Sequence, residues 1–209
     1  MCHIAPTLDP YGASDEPWRQ QYSATFWELV EPHLPRIAGF FCGHYHVDMT
    51  VASSAAADSE MPLLLLGAVS PVYDGYPVVY ALELREGSYR PAKVTAHYLP
   101  LDAQPAPQTA DDIAAGWRSY EYTVPTNGEW RALAASWLAG TPEGEASFEE
   151  AFERKKMYLR GAEACTDAAT PWQDCATCEG ACRVSFACFS TEGRSKASYD
   201  ACVAAGGPV

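Results

Sequence analysis

The residues best equipped for chemistry fall in two short blocks, Cys2-His3-Ile4-Ala5-Pro6 and Gly43-His44-Tyr45-His46-Val47-Asp48. Imidazoles two positions apart share a face on an extended segment, and from a tight loop they reach neighbouring metal ions. Gly43 is expected to supply the backbone freedom that turns both rings into one cleft. Asp48 is placed to orient a ring through its second nitrogen, as carboxylates do behind metal-bound histidines. His3, His44 and His46 are therefore the candidate metal ligands. An H-x-H pair also occurs as plain polar residues at strand ends, so the pair alone does not decide. The other two histidines read as structural: His33 follows Pro32 at a helix end, and His97 alternates with Tyr98 on an expected strand.

These blocks need elements to hold them. From Trp18, the apolar residues Tyr22, Phe26, Leu29 and Val30 recur at helical spacing until Pro32 and Pro35 stop the helix. Ile37 to Cys42 is a short apolar run that delivers the histidine loop. Further strands are expected around Met49–Ala52, Pro62–Gly67, Val78–Leu84 and Lys93–Leu99. The polar, proline-spaced stretch 101–108 reads as a linker, and helices are expected to dominate after it. Thr126 and Glu129 fit a capping box ahead of an apolar stripe from Trp130 to Leu138, and Ser147 and Glu150 repeat the signature. Gly140 and Gly161 stand where helix C-caps belong.

The 209 residues carry 14 basic and 27 acidic side chains, a formal charge of −13. That balance argues against a nucleic-acid polymer as partner, because such affinity comes from cations on phosphates. No apolar run approaches the length of a membrane helix. The eight cysteines are clustered, with six between Cys165 and Cys202. Four crowded sulfurs from Cys175 to Cys188 suggest a structural zinc site, but no histidine accompanies them, and three disulfides are the favoured reading. Disulfides imply an oxidising compartment. No signal peptide follows Met1, so the sequence is expected to be the C-terminal part of a longer protein.

Taken together, His3-Ile4-Ala5-Pro6, the helix with Trp18 and Tyr22, and Phe40-Phe41-Cys42-Gly43-His44-Tyr45-His46-Val47-Asp48 resemble the last two ligand blocks of the calcineurin-like metallophosphoesterases. The acid sphingomyelinase-like branch is the most similar. The loop from Ser70-Pro71 to Tyr76-Pro77, followed by Val79-Tyr80, resembles a segment of that branch. Trp117, Tyr120, Trp130, Phe148, Phe152, Tyr158 and the cysteine-bearing tail resemble its helical C-terminal subdomain.

The resemblance implies an α/β fold: residues 1–105 as the second half of an αββα sandwich, and 106–209 as a helical, disulfide-rich subdomain. A half sandwich exposes sheet surface, so self-association is expected. The resemblance also implies two divalent metal ions, commonly zinc, with His3 and His44 on one and His46 on the other. Such ions hold and deprotonate a water that attacks phosphorus. Tyr73 and Tyr76 border that site as candidate substrate contacts. The implied substrate is a sphingolipid or nucleotide-like phosphodiester, with a possible lipid-surface contact, in an extracellular or lysosomal setting.

Several expected parts are missing. The family's D-x-H, G-D-x-x-D and G-N-H blocks do not occur, and the single asparagine, Asn127, lies in the helical half. No catalytic residue is assigned, and the chain alone is expected to be inactive. Inside the matched part, Cys2 stands where the family has glycine and Cys42 is inserted before the Gly-His pair. Cys42 reads first as a buried free thiol, with an extra ligand or a partner for Cys2 as alternatives. The rival reading of the whole chain is a non-catalytic, disulfide-rich secreted module binding a single metal or a partner.

Overall fold

A computed structural model describes residues 1–11, 16–53, 61–71, 75–101, 109–156, 163–166 and 175–208. The chain is mixed α/β. Helix α1 (Gln20–Val30) ends where Pro32 and Pro35 tighten the backbone into a 3-10 turn, Glu31–Arg36. Strands β1 (Phe40–Cys42), β2 (Met49–Val51) and β3 (Leu63–Leu65) form one sheet in the order β1-β3-β2, with β1 parallel and β2 antiparallel to β3.

A second, antiparallel sheet contains β4 (Val78–Leu84), β5 (Pro91–Tyr98) and β6 (Arg118–Thr123). Strand β6 was not expected, since the residues after the linker read as helical. Its alternating Tyr120-Glu121-Tyr122 sends both tyrosines to one face, and Tyr122 is buried while Glu121 is exposed. Because β6 pairs with β5 along its whole length, sheet pairing runs across residue 105.

The two sheets meet through β3. Leu63 and Leu65 join the main core, while Leu64, on the opposite face, packs in a second cluster with Val94 and Tyr122 of the other sheet. Two-residue periodicity thus lets one three-residue strand serve both layers. The short helix α2 (Ala110–Gly116) leads into β6.

Helix α3 (Asn127–Ser136) begins with the expected capping box: Thr126 accepts from the Glu129 N–H, and the Glu129 carboxylate accepts from the Thr126 N–H. The second expected start is corrected. Helix α4 runs from Pro142 to Lys156, so Ser147 is interior, donating to the Gly144 carbonyl at 3.1 Å. Thr141 is the cap instead, accepting from the Gly144 N–H at 3.1 Å, and Pro142 follows in the first-turn position that proline prefers. Gly140 does take a left-handed φ of 66°; Gly161 lies outside the described residues.

The tail contains β7 (Glu163–Cys165), β8 (Cys175–Cys178), α5 (Ala181–Glu192) and α6 (Lys196–Ala205). The three expected disulfides are present as Cys165–Cys175, Cys178–Cys182 and Cys188–Cys202. The last ties α5 to α6. Cys188, Phe186 and Phe189 of α5 belong to the same core as Trp130 of α3, Trp137 at its C-cap and the first sheet, so the tail is an integral wall of the domain.

Edge strand β4 leaves Val79, Leu82 and Leu84 exposed. Substitutions should reflect this contrast. Leu64→Ala, at a site 1% exposed, should lower unfolding stability by about 2–5 kcal/mol in a denaturant titration. Leu82→Ala, at a site 38% exposed, should change it by less than about 0.5 kcal/mol.

Candidate metal-binding site

The site begins with backbone pairing. Cys2 forms a parallel bridge with Cys42: its N–H donates to the Phe41 carbonyl at 2.9 Å, and the Gly43 N–H donates to the Cys2 carbonyl at 3.3 Å. This pairing sets the two Cα atoms 4.6 Å apart, and the sulfurs form a disulfide. The expectation of a buried free thiol at Cys42 is thereby corrected in favour of partnership with Cys2. All eight cysteines are paired.

His3 lies one residue after Cys2 and His44 two after Cys42, so pairing these two cysteines brings the rings close. His44 Nδ1 lies 3.1 Å from His3 Nε2, with ring centroids 4.8 Å apart and planes inclined at 75°. Both rings are exposed, and His46 is half-buried. The turn that presents them differs from expectation. Gly43 does not take a positive φ; the histidines do, at 76° for His44 and 56° for His46. Left-handed geometry at a residue with a Cβ costs about 1–3 kcal/mol and persists where the surroundings enforce it.

The enforcing contacts lie between and behind the rings. Tyr45 and Val47 are buried, alternating with the two histidines. The Tyr11 hydroxyl donates to the Tyr45 carbonyl, and the Tyr45 ring packs edge-on to both Tyr11 and His44. Burial drives the Tyr45 phenol far above its ordinary value, with Asp9 adding to the effect.

Asp48 is fully buried. Its Oδ2 accepts from the Tyr120 hydroxyl at 2.5 Å and its Oδ1 from the Tyr122 hydroxyl at 2.9 Å. The Tyr80 hydroxyl is a third partner, and Arg154 supplies the nearby positive charge. Burial raises the carboxyl above the usual aspartate value, opposed by Arg154 and the tyrosine hydroxyls. These tyrosines were not singled out for Asp48. The register explains them: Tyr80 and Tyr120 both pair with Ala96, and that small residue lets the two rings flank one point on the sheet. A reading of β6 as a strand with Tyr120 and Tyr122 on one face would have pointed to them.

Tyr76 is half-buried and stacked on Tyr98 at 6.1 Å, and Tyr98 packs on Tyr120 at the same separation. An aromatic row therefore runs from Tyr76 towards the Asp48 partners. Tyr73 lies outside the described residues. His33 and His97 are exposed, away from the histidine pair in sequence and on other elements.

The histidine pair fits part of a metal site. Two bonds of about 2.0–2.1 Å at a near-tetrahedral angle place their nitrogens roughly 3.3 Å apart, close to the observed contact. Among the described residues, no three His, Cys, Asp or Glu side chains are grouped to hold an ion. The structure brings His3 and His44 together, and among the described residues adds no third donor. No protein-family model matches the chain, and no characterised protein is significantly similar to it in sequence.

Two measurements follow from this geometry. Closing a loop of 40 residues is worth about 4 kcal/mol in chain entropy, so the Cys2→Ser/Cys42→Ser variant should lose up to that amount in denaturant unfolding without reductant. For Asp48, the raised folded-state value means that folding takes up a proton as pH rises above the unfolded value of 3.8. The stability of the wild type relative to Asp48→Asn should thus be greatest below that pH and fall as pH climbs through the folded value. Parallel denaturation series across acidic to neutral pH read the difference.

Proposed function

We propose that this chain carries the histidine part of a metal-dependent phosphodiester hydrolase similar to the acid sphingomyelinase-like metallophosphoesterases. The observation that carries the reading is the 3.1 Å approach of His3 and His44, from the two blocks that resemble the family's terminal ligand motifs. Rings held this close by a bridged backbone are preorganised to share one ion. The strained left-handed histidines support the same reading, because such geometry gathers at functional sites.

In this account His3 and His44 would hold one divalent cation, and His46, two residues on, would serve a second. Zinc suits neutral imidazoles and, when bound, supplies Lewis acidity towards a phosphoryl group. The chain's own contribution is to hold the imidazoles. Tyr45 anchors the loop between them, and Asp48 fixes its far end to the second sheet. Tyr76 contributes to the wall on the substrate side, and the substrate is a sphingolipid or nucleotide-like phosphodiester. The D-x-H, G-D-x-x-D and G-N-H blocks that carry the family's carboxylate and asparagine donors do not occur in this sequence. Four disulfides fit an oxidising, extracellular setting, and a lysosomal one falls within the proposal. No helix among the described residues is long and apolar enough to cross a membrane.

Calorimetric titration with zinc tests the reading. The chain should bind zinc, and His3→Ala or His44→Ala should weaken the first site by about tenfold or more, while His97→Ala should leave it unchanged. The zinc-loaded chain should not turn over a chromogenic phosphodiester, because its donor set is partial. Equal affinity in all variants would remove the histidine pair from the account. Turnover by the chain alone would show that the donor set is complete without the missing blocks.

A further inference from the structure

A second polar feature lies behind the tyrosines. Arg154, on α4, is only 7% exposed, yet its Nε has no hydrogen-bond partner. Its guanidinium sits 4.0 Å from the Tyr122 ring centroid and 5.7 Å from that of Trp130. The aromatic faces stabilise the cation but offer no acceptor to its N–H groups. Of the two carboxylates that act on its charge, Asp48 is already occupied by tyrosine hydroxyls and Glu150 is exposed. A buried arginine with unused donors is costly unless something accepts from them.

Beside it opens a cavity of about 470 Å³, bounded by Tyr122, Trp130, Leu133, Ser147, Ala151 and Arg154. The walls are mostly apolar, and the guanidinium is the one cation among the lining residues. Glu129 and Glu150 also line it but are exposed, at the solvent side. A ligand with one negative charge directed inward meets the arginine fork, whereas a second charge left outward meets two carboxylates. A planar guanidinium matches a carboxylate because it donates two parallel N–H bonds to the two carboxylate oxygens at once.

We propose that this cavity is a binding site for a small organic monocarboxylate with an apolar body, anchored by Arg154 and packed against Trp130 and Leu133. The site is independent of the histidine pair and of the hydrolase reading.

Phenylacetate is the probe, with phenylacetamide as its uncharged counterpart, and binding is followed by calorimetry and by the Trp130 indole N–H resonance. Phenylacetate should bind saturably, one to one, in the millimolar range or tighter. Loss of the charge-assisted bonds should weaken phenylacetamide by about tenfold or more. Because removing a buried arginine risks the fold, a second variant leaves it in place: Ser147→Phe fills the cavity from α4 and should abolish binding with the melting temperature retained. Acid and amide binding alike, undiminished binding by Ser147→Phe, or no saturable binding at all would each overturn the proposal, the last assigning the cavity to water.

Discussion

The parallel pairing of Cys2 with Cys42 is the constraint from which the candidate site follows. Two backbone hydrogen bonds and a disulfide fix the N-terminal segment against the end of β1. Because each histidine lies one or two residues beyond its cysteine, no further device is needed to bring the rings of His3 and His44 into contact. The same pairing places the cysteines on the core side, where Cys42 is buried, and leaves the imidazoles outside, where both are exposed. A covalent link on one face thereby organises a polar pair on the other.

The far end of the histidine loop is fixed by a different kind of interaction. Asp48 enters the space between the sheets and is met by hydroxyls from β4 and β6. Burying a carboxylate there is unfavourable unless its oxygens are hydrogen-bonded; three tyrosine hydroxyls meet them, and the Arg154 charge acts on it from nearby. The loop is therefore held at one end by a disulfide and at the other by a polar cluster. Between them, Tyr45 and Val47 pack inward, and the left-handed backbone at His44 and His46 is the geometric consequence. Arg154 links this cluster to a separate cavity, since it faces Tyr122 on one side and open space on the other.

Much of this was legible in residue order. The proline stop after α1, the short apolar strands and the Thr126–Glu129 cap are local features, set by backbone chemistry that neighbours in sequence determine. The histidine pair was legible as a candidate because its spacing and its neighbours resembled a known pattern. What could not be read were the long-range choices. Tyr120-Glu121-Tyr122 has a strand's alternation, but only its pairing with β5 makes it a strand and gives Asp48 its partners. Cys42 alone is a plausible core thiol; only the parallel bridge, 40 residues away in sequence, reveals its partner. Ser147 and Glu150 satisfied a capping signature that Thr141 and Pro142 pre-empted by starting the helix earlier.

The central claim is that His3 Nε2 and His44 Nδ1 act on the same ion. Long-range nitrogen–proton NMR of the imidazole rings during zinc addition tests it most directly. The account predicts that these two nitrogens shift together, at one zinc concentration, while those of His33 and His97 stay in place. A shift confined to one ring, or equal shifts spread over all the histidines, would contradict it.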